Sequence, residues 1–221
     1  MKKLLLSFIA LAAVACFYSC RQSAGAGCHI EGVVNGAKYE GKRIFLVPLN
    51  GPATAETVDS MEITNGKFHF DPDTLQMYKI LLDYHYRFGL QPLILVAEPG
   101  TVKIVVDTIS HATGTPQNDS LEKWKVQTEI HNIRYGRMRK TANELSAKGE
   151  TVKADALLKS ADSLHIAHKN FTRQMAKNME GTQLGDFLKD LYPLTFMRKM
   201  PDGTTVEINA DTHEPVKGPT P

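Results

Sequence analysis

Two periods divide this chain. Between residues 28 and 115 apolar side chains recur at every second position, and beyond Pro116 they recur every third or fourth. Side chains alternate across a strand and return to one face of a helix after about 3.6 residues, so the first pattern predicts half-buried strands and the second amphipathic helices. Cys28-His29-Ile30-Glu31-Gly32-Val33 alternates cleanly, 43–49 is β-branched and aromatic, and 57–63 alternates into Asn65-Gly66 ahead of Lys67-Phe68-His69-Phe70. An Asn-Gly step between alternating runs predicts a tight hairpin, because both turn residues must accept positive φ. Further runs at 78–86 and 91–97, the turn Glu98-Pro99-Gly100 and a run at 101–107 bring the total to about seven short strands, the signature of an antiparallel sandwich.

The helical half is equally regular. Leu121, Trp124, Thr128, His131, Tyr135, Met138, Ala142 and Leu145 share one face, as do Leu157, Ala161, Leu164, His168, Phe171 and Met175. The short link Lys148-Gly149-Glu150 predicts an antiparallel pair in which residues whose numbers sum to about 297 face each other. Asn118 or Asp119 is expected to cap the first helix. Residues 183–192 predict a shorter third helix, stopped by Pro193. Met200-Pro201-Asp202-Gly203-Thr204 reads as the turn of a small hairpin, and the proline-rich end from Asp211 as a disordered tail. The expected fold class is therefore α+β: a β-rich domain over 28–115, a helical segment over 116–192, and a hairpin with tail over 193–221.

The first residues follow neither period. Lys2-Lys3 precede an apolar run of about fourteen residues from Leu4 to Phe17, then Tyr18-Ser19-Cys20. A membrane span needs roughly twenty apolar residues, so 1–19 reads as a cleaved export signal. The expected lipidation residue is Cys20, with small Ser19 before it and the polar tether 20–27 behind it. Cys16 competes, since Ala13-Val14-Ala15-Cys16 is the stricter lipobox, but cutting there leaves Phe17 and Tyr18 on the tether. A plain secretory signal with incidental cysteines is the remaining alternative. Acyl carbons contribute about 0.8 kcal/mol per buried methylene, so a multi-chain anchor would hold the protein on a membrane permanently. No acidic run follows Cys20, so the expected address is the periplasm-facing side of the cell envelope, the outer membrane in preference to the inner.

Composition narrows the function classes. The formal charge is +2, and removal of Lys2 and Lys3 brings it to about zero, which argues against nucleic acid as a partner. With Cys20 acylated, Cys28 is the one thiol left, and no Cys-x-x-Cys exists for thioredoxin-type chemistry. Cys28 is expected to be a buried strand residue. No P-loop, dinucleotide glycine pattern or Gly-x-Ser-x-Gly elbow occurs. No catalytic residue and no cofactor is therefore expected. The histidines carry the one sharp lead. His131 falls level with His165 and His168 across the helical pair, and imidazoles meeting there are candidate ligands for zinc or copper. The alternatives are a polar layer that fixes helix register and histidines at a sheet-facing edge. Glu129 and Asp162 lie near in sequence. His69, between Phe68 and Phe70, is expected to face solvent; Tyr84 and Tyr86 flank His85 on one strand face, a half-buried pair or an aromatic platform. Arg134, Arg137, Arg139 and Lys140 read as the solvated side of a helix.

Val58-Asp59-Ser60, Asn65-Gly66-Lys67-Phe68, Ala97-Glu98-Pro99-Gly100 and Gly114-Thr115-Pro116-Gln117-Asn118-Asp119, in this order, resemble the domain of unknown function 4369, found in exported and often lipid-anchored Bacteroidota proteins. In that family the domain precedes a helical segment and a thioredoxin-like oxidoreductase domain. The resemblance covers about residues 28–120 and implies the β-rich accessory domain. The family's redox activity has no cysteine pair to rest on in this sequence. Asp59 and Ser60 are expected to be local or cross-strand partners. The combined reading is a lipid-anchored envelope protein, not an enzyme, with a binding or accessory role. The alternatives are an accessory subunit to a separate thioredoxin-like oxidoreductase and a histidine-based metal binder. Its expected partners are the membrane, through the N-terminal lipid, and an envelope or redox protein.

Overall fold

The computed structural model describes residues 27–82 and 93–216. They form two compact units, divided between Asn118 and Asp119. The strands come first and the helices second, as an α+β chain.

The first unit holds eight strands among its described residues: β1 Cys28–Val34, β2 Arg43–Pro48, β3 Asp59–Glu62, β4 Lys67–Phe70, β5 Met77–Leu82, β6 Leu93–Val96, β7 Gly100–Val106 and β8 His111–Thr113. They build two four-stranded sheets, β4-β1-β7-β8 and β3-β2-β5-β6. Cys28, Ile30, Phe68, Phe70, Val102 and Ile104 of the first sheet share one core with Ile44, Leu46, Ile80, Leu93 and Leu95 of the second. This is a sandwich, and the alternation of β1, buried at Cys28, Ile30, Gly32 and Val34 and exposed between them, is what a single covered face requires. His69 is exposed between buried Phe68 and Phe70, as its position predicts. Gly32 lies opposite Phe68, whose ring covers the space a side chain would fill: a Cβ on Gly32 would sit 1.9 Å from Cζ of Phe68.

Two expectations change. The sandwich is not wholly antiparallel: β1 and β7 run parallel over their full length, from Cys28 opposite Gly100 to Val34 opposite Val106. A parallel neighbour demands the same two-residue period as an antiparallel one, so the alternation of β1 carries no sign of it. Asn65-Gly66 is a tight turn with positive φ at both residues (54° and 67°), but its strands join different sheets. Only Thr64 and Lys67 pair across it. Beyond that bridge β4 leaves to pair with β1 and β3 with β2.

The second unit contains most of α1 (Pro116–Ala147), then α2 (Thr151–Asn178), α3 (Gln183–Leu191) and the hairpin β9 (Thr195–Lys199) with β10 (Thr205–Asn209). Every position assigned above to the two helical seams is buried or half-buried. Trp124 donates to Thr172 (3.1 Å) and meets Phe187 of α3 edge-on, which fixes the register of the pair near the expected sum. Of the tail expected to be disordered from Asp211, the described residues 211–216 fold back on the hairpin. Glu214 and Glu207 accept backbone bonds from Asn209 and Val216, and Pro215 bridges Ile208. Those pairings satisfy the outer edge of β10, and proline content alone does not reveal them.

Candidate functional site

The residues that carry the family resemblance are engaged in structural joints. Glu98 is 8% exposed, and its carboxylate accepts from the backbone N–H of Gln117 (2.7 Å) and Asn118 (3.3 Å) and from the side chain of Gln117 (3.0 Å). An acid at a helix start meets unpaired amides and the positive end of the dipole, and Pro116, with no N–H to lose, opens the helix. Asn118 is not the cap expected of it. It lies inside the first turn, fully buried, and its amide clamps β6: Oδ1 accepts from Val96 N–H (2.9 Å), and Nδ2 donates to Val96 O (2.7 Å) and Thr115 Oγ1 (2.8 Å). At the other turn, Glu40 accepts from the N–H groups of Asn65 (2.7 Å) and Gly66 (2.9 Å). Asp59 accepts from Ser60 N–H, and Ser60 accepts from Arg43 across the strand pair. Cys28 is buried at the start of β1, and burial pushes its thiol pKa up, away from the reactive thiolate.

The three histidines expected to lie level meet in the second unit. Its seams bring His131 of α1 together with His165 and His168 of α2. His131 and His168 stack at 4.3 Å between ring centres, and His165 lies 5.5 Å from His131. Tyr135 stacks on His131 at 5.5 Å, and Tyr192 meets His165 and His168 edge-on. His131 and His168 are each 7% exposed. Burial, and then the other two imidazoles, push the His168 pKa down. Glu129 and Asp162, the nearby carboxylates in sequence, are exposed on outer faces. Among the described residues no group of three or more His, Cys, Asp or Glu is arranged to hold a metal ion. Near-parallel stacked rings direct their nitrogens side by side instead of at one point. The basic residues Arg134, Arg137, Arg139 and Lys140 are exposed, and Arg139 lies over Tyr135.

Periodicity did not reveal Arg173. From α2 it donates to the carbonyls of Tyr192 (3.0 Å) and Pro193 (2.8 Å) and to both carboxylate oxygens of Asp211 (2.6 and 3.1 Å), which Lys169 also binds at 2.7 Å. One guanidinium thus fixes both ends of the β9–β10 hairpin on the helices. It also lines an open cleft of about 1060 Å³, whose walls include Lys177, Glu180, Asp186, Lys189 and Tyr192. Bonds from Arg173 and Lys169 hold the Asp211 carboxyl far below the usual carboxylate range. A depressed carboxylate contributes stability above its unfolded pKa and loses it as pH falls toward the folded value. The hairpin should therefore stay docked at pH 5 and detach only in strong acid. Arg173→Gln should detach it at neutral pH, raising amide exchange across 195–209 by about tenfold or more, as expected for loss of charge-assisted bonds worth roughly 1.5–3 kcal/mol. Unchanged exchange there would show that β10 and its flanking tail dock without the clamp.

Cys16, Cys20, Tyr84, His85 and Tyr86 lie outside the described residues. Among the described residues no helix is long and apolar enough to cross a membrane. Residues 28–121 match the model of a family described as a domain of unknown function, DUF4369. No curated protein and no solved structure is matched.

Proposed function

We propose that this chain is a lipid-anchored cell-envelope protein with a non-catalytic binding role, and that its helical unit holds the partner. The observation that carries the binding role is the cleft bounded by α2, α3 and the start of β9. Its walls interleave Arg173, Lys177 and Lys189 with Glu180, Asp186 and Asp190. Walls of both signs suit a polypeptide segment better than a small apolar ligand. The β domain is compatible with the same reading, because Glu40, Glu98 and Asn118 brace a turn and a helix start. The anchor rests on Lys2-Lys3, the apolar run and Cys20.

Two measurements test this. The intact mass of the membrane-extracted protein should show a diacylated or triacylated chain beginning at Cys20, and an unmodified chain starting elsewhere removes the anchor. Photo-crosslinkers placed at Lys177 and Lys189 in intact cells should yield a protein adduct that one at exposed Lys140 does not. A separately encoded thioredoxin-like oxidoreductase in that adduct would make the chain its accessory subunit. Absence of a cleft-specific adduct would overturn the binding role.

A further inference from the structure

Three imidazoles meet inside the helical pair with too few partners. If His131 Nδ1 donates to Asn132 Oδ1 (3.1 Å), its basic nitrogen is Nε2, which is buried and has no hydrogen-bond partner. His165 Nδ1 is buried and unpartnered in the same way. His168 Nε2 has only Thr128 Oγ1, at 3.5 Å. A proton added to either orphan nitrogen creates a buried donor with no acceptor, and a second proton places two cations face to face at 4.3 Å.

The surrounding groups offer no compensation. From α1 the layer faces Thr128 and the ring of Tyr135, and from the segment after α3 the ring of Tyr192. On α2, Lys169 and Arg173 are cations engaged with Asp211. Asp162 of α2 and Glu129 of α1 are exposed. No carboxylate bonds to any of the three rings among the described residues.

We propose that the stacked layer of His131, His165 and His168 holds α1 and α2 together while His168 is neutral and loosens them when His168 takes up a proton. The sign follows from linkage. The His168 pKa is depressed in the folded state, so the unfolded or opened state binds more protons. Stability is complete above the ordinary imidazole pKa of about 6.5 and declines as pH falls below it. The opening equilibrium then rises by about tenfold per pH unit for each extra proton taken up. Asp211 responds only at much lower pH, so the two effects occupy separate windows.

Hydrogen exchange of the full chain between pH 8 and pH 5, corrected for intrinsic rates, tests this. Protection across 128–138 and 161–172 should fall severalfold on acidification, while that of β1 and β7 stays constant. In His168→Phe, which keeps a stacking ring without a basic nitrogen, the fall should be reduced. The histidine Cε1–H resonances of the unmodified protein give a readout that does not depend on any variant folding, and His168 should titrate below 6.5. Protection independent of pH, or His168 titrating at or above its ordinary range, would overturn the proposal.

Discussion

Asn118→Ala should destabilise the β domain by about 2–6 kcal/mol. The change strands two buried backbone groups, the N–H and C=O of Val96, each of which costs roughly 1–3 kcal/mol when left unpaired. Domains of this size are stable by only about 5–15 kcal/mol, so the variant should lie close to unfolding. Asn118 is fully buried, and Val96 itself is 0% exposed. Urea-dependent amide exchange in β5 and β6 reads the loss without assuming that both units unfold together. A change below about 1 kcal/mol would mean that water enters and replaces the amide.

Gly185→Ala should be nearly as severe, in the other unit. A Cβ there would lie 2.0 Å from the carbonyl oxygen of Met179 and 2.7 Å from its carbon. That oxygen cannot easily withdraw, because it accepts from the N–H (3.1 Å) and hydroxyl (2.6 Å) of Thr182, whose side chain in turn accepts from Gly185 N–H (3.1 Å). Relief must come from moving α3, whose Leu184 and Leu188 are fully buried. Overpacking costs about 1–3 kcal/mol, and a clash with pinned backbone lies at the upper end. The single tryptophan, Trp124, rests edge-on against Phe187, so its emission should shift to the red as α3 lifts. Unshifted emission and an unchanged melting point would show that the α2–α3 corner yields.

These two sites mark where sequence reading stops. The helical seams were legible to the residue, because burial on a helix follows a local period and a three-residue link sets which positions meet. That reasoning placed His131 beside His165 and His168. It did not show that the rings stack, since side-chain orientation depends on Tyr135 and Tyr192 around them. The strands other than three-residue β8 were legible for the same reason, but their partners were not. The parallel β1–β7 pair joins residues more than seventy positions apart, and no turn residue announces it. Asn118 looked like a cap because polar residues near a helix start satisfy their own helix; here the amide completes a strand instead. Glu40, Glu98 and Arg173 were illegible as joints, because a charged side chain that reaches distant backbone has no period at all.

The place of β1 has a mechanical consequence. It is the first strand of the domain, yet it lies inside its sheet, with β4 on one side and β7 on the other. A load delivered through residue 27 is therefore applied to an interior strand. To pull it free, force must break the ladder to β4 and the seven-residue ladder to β7 together, instead of peeling away an edge. A chain held at its N-terminus and tugged elsewhere would thus load both ladders of β1 at once.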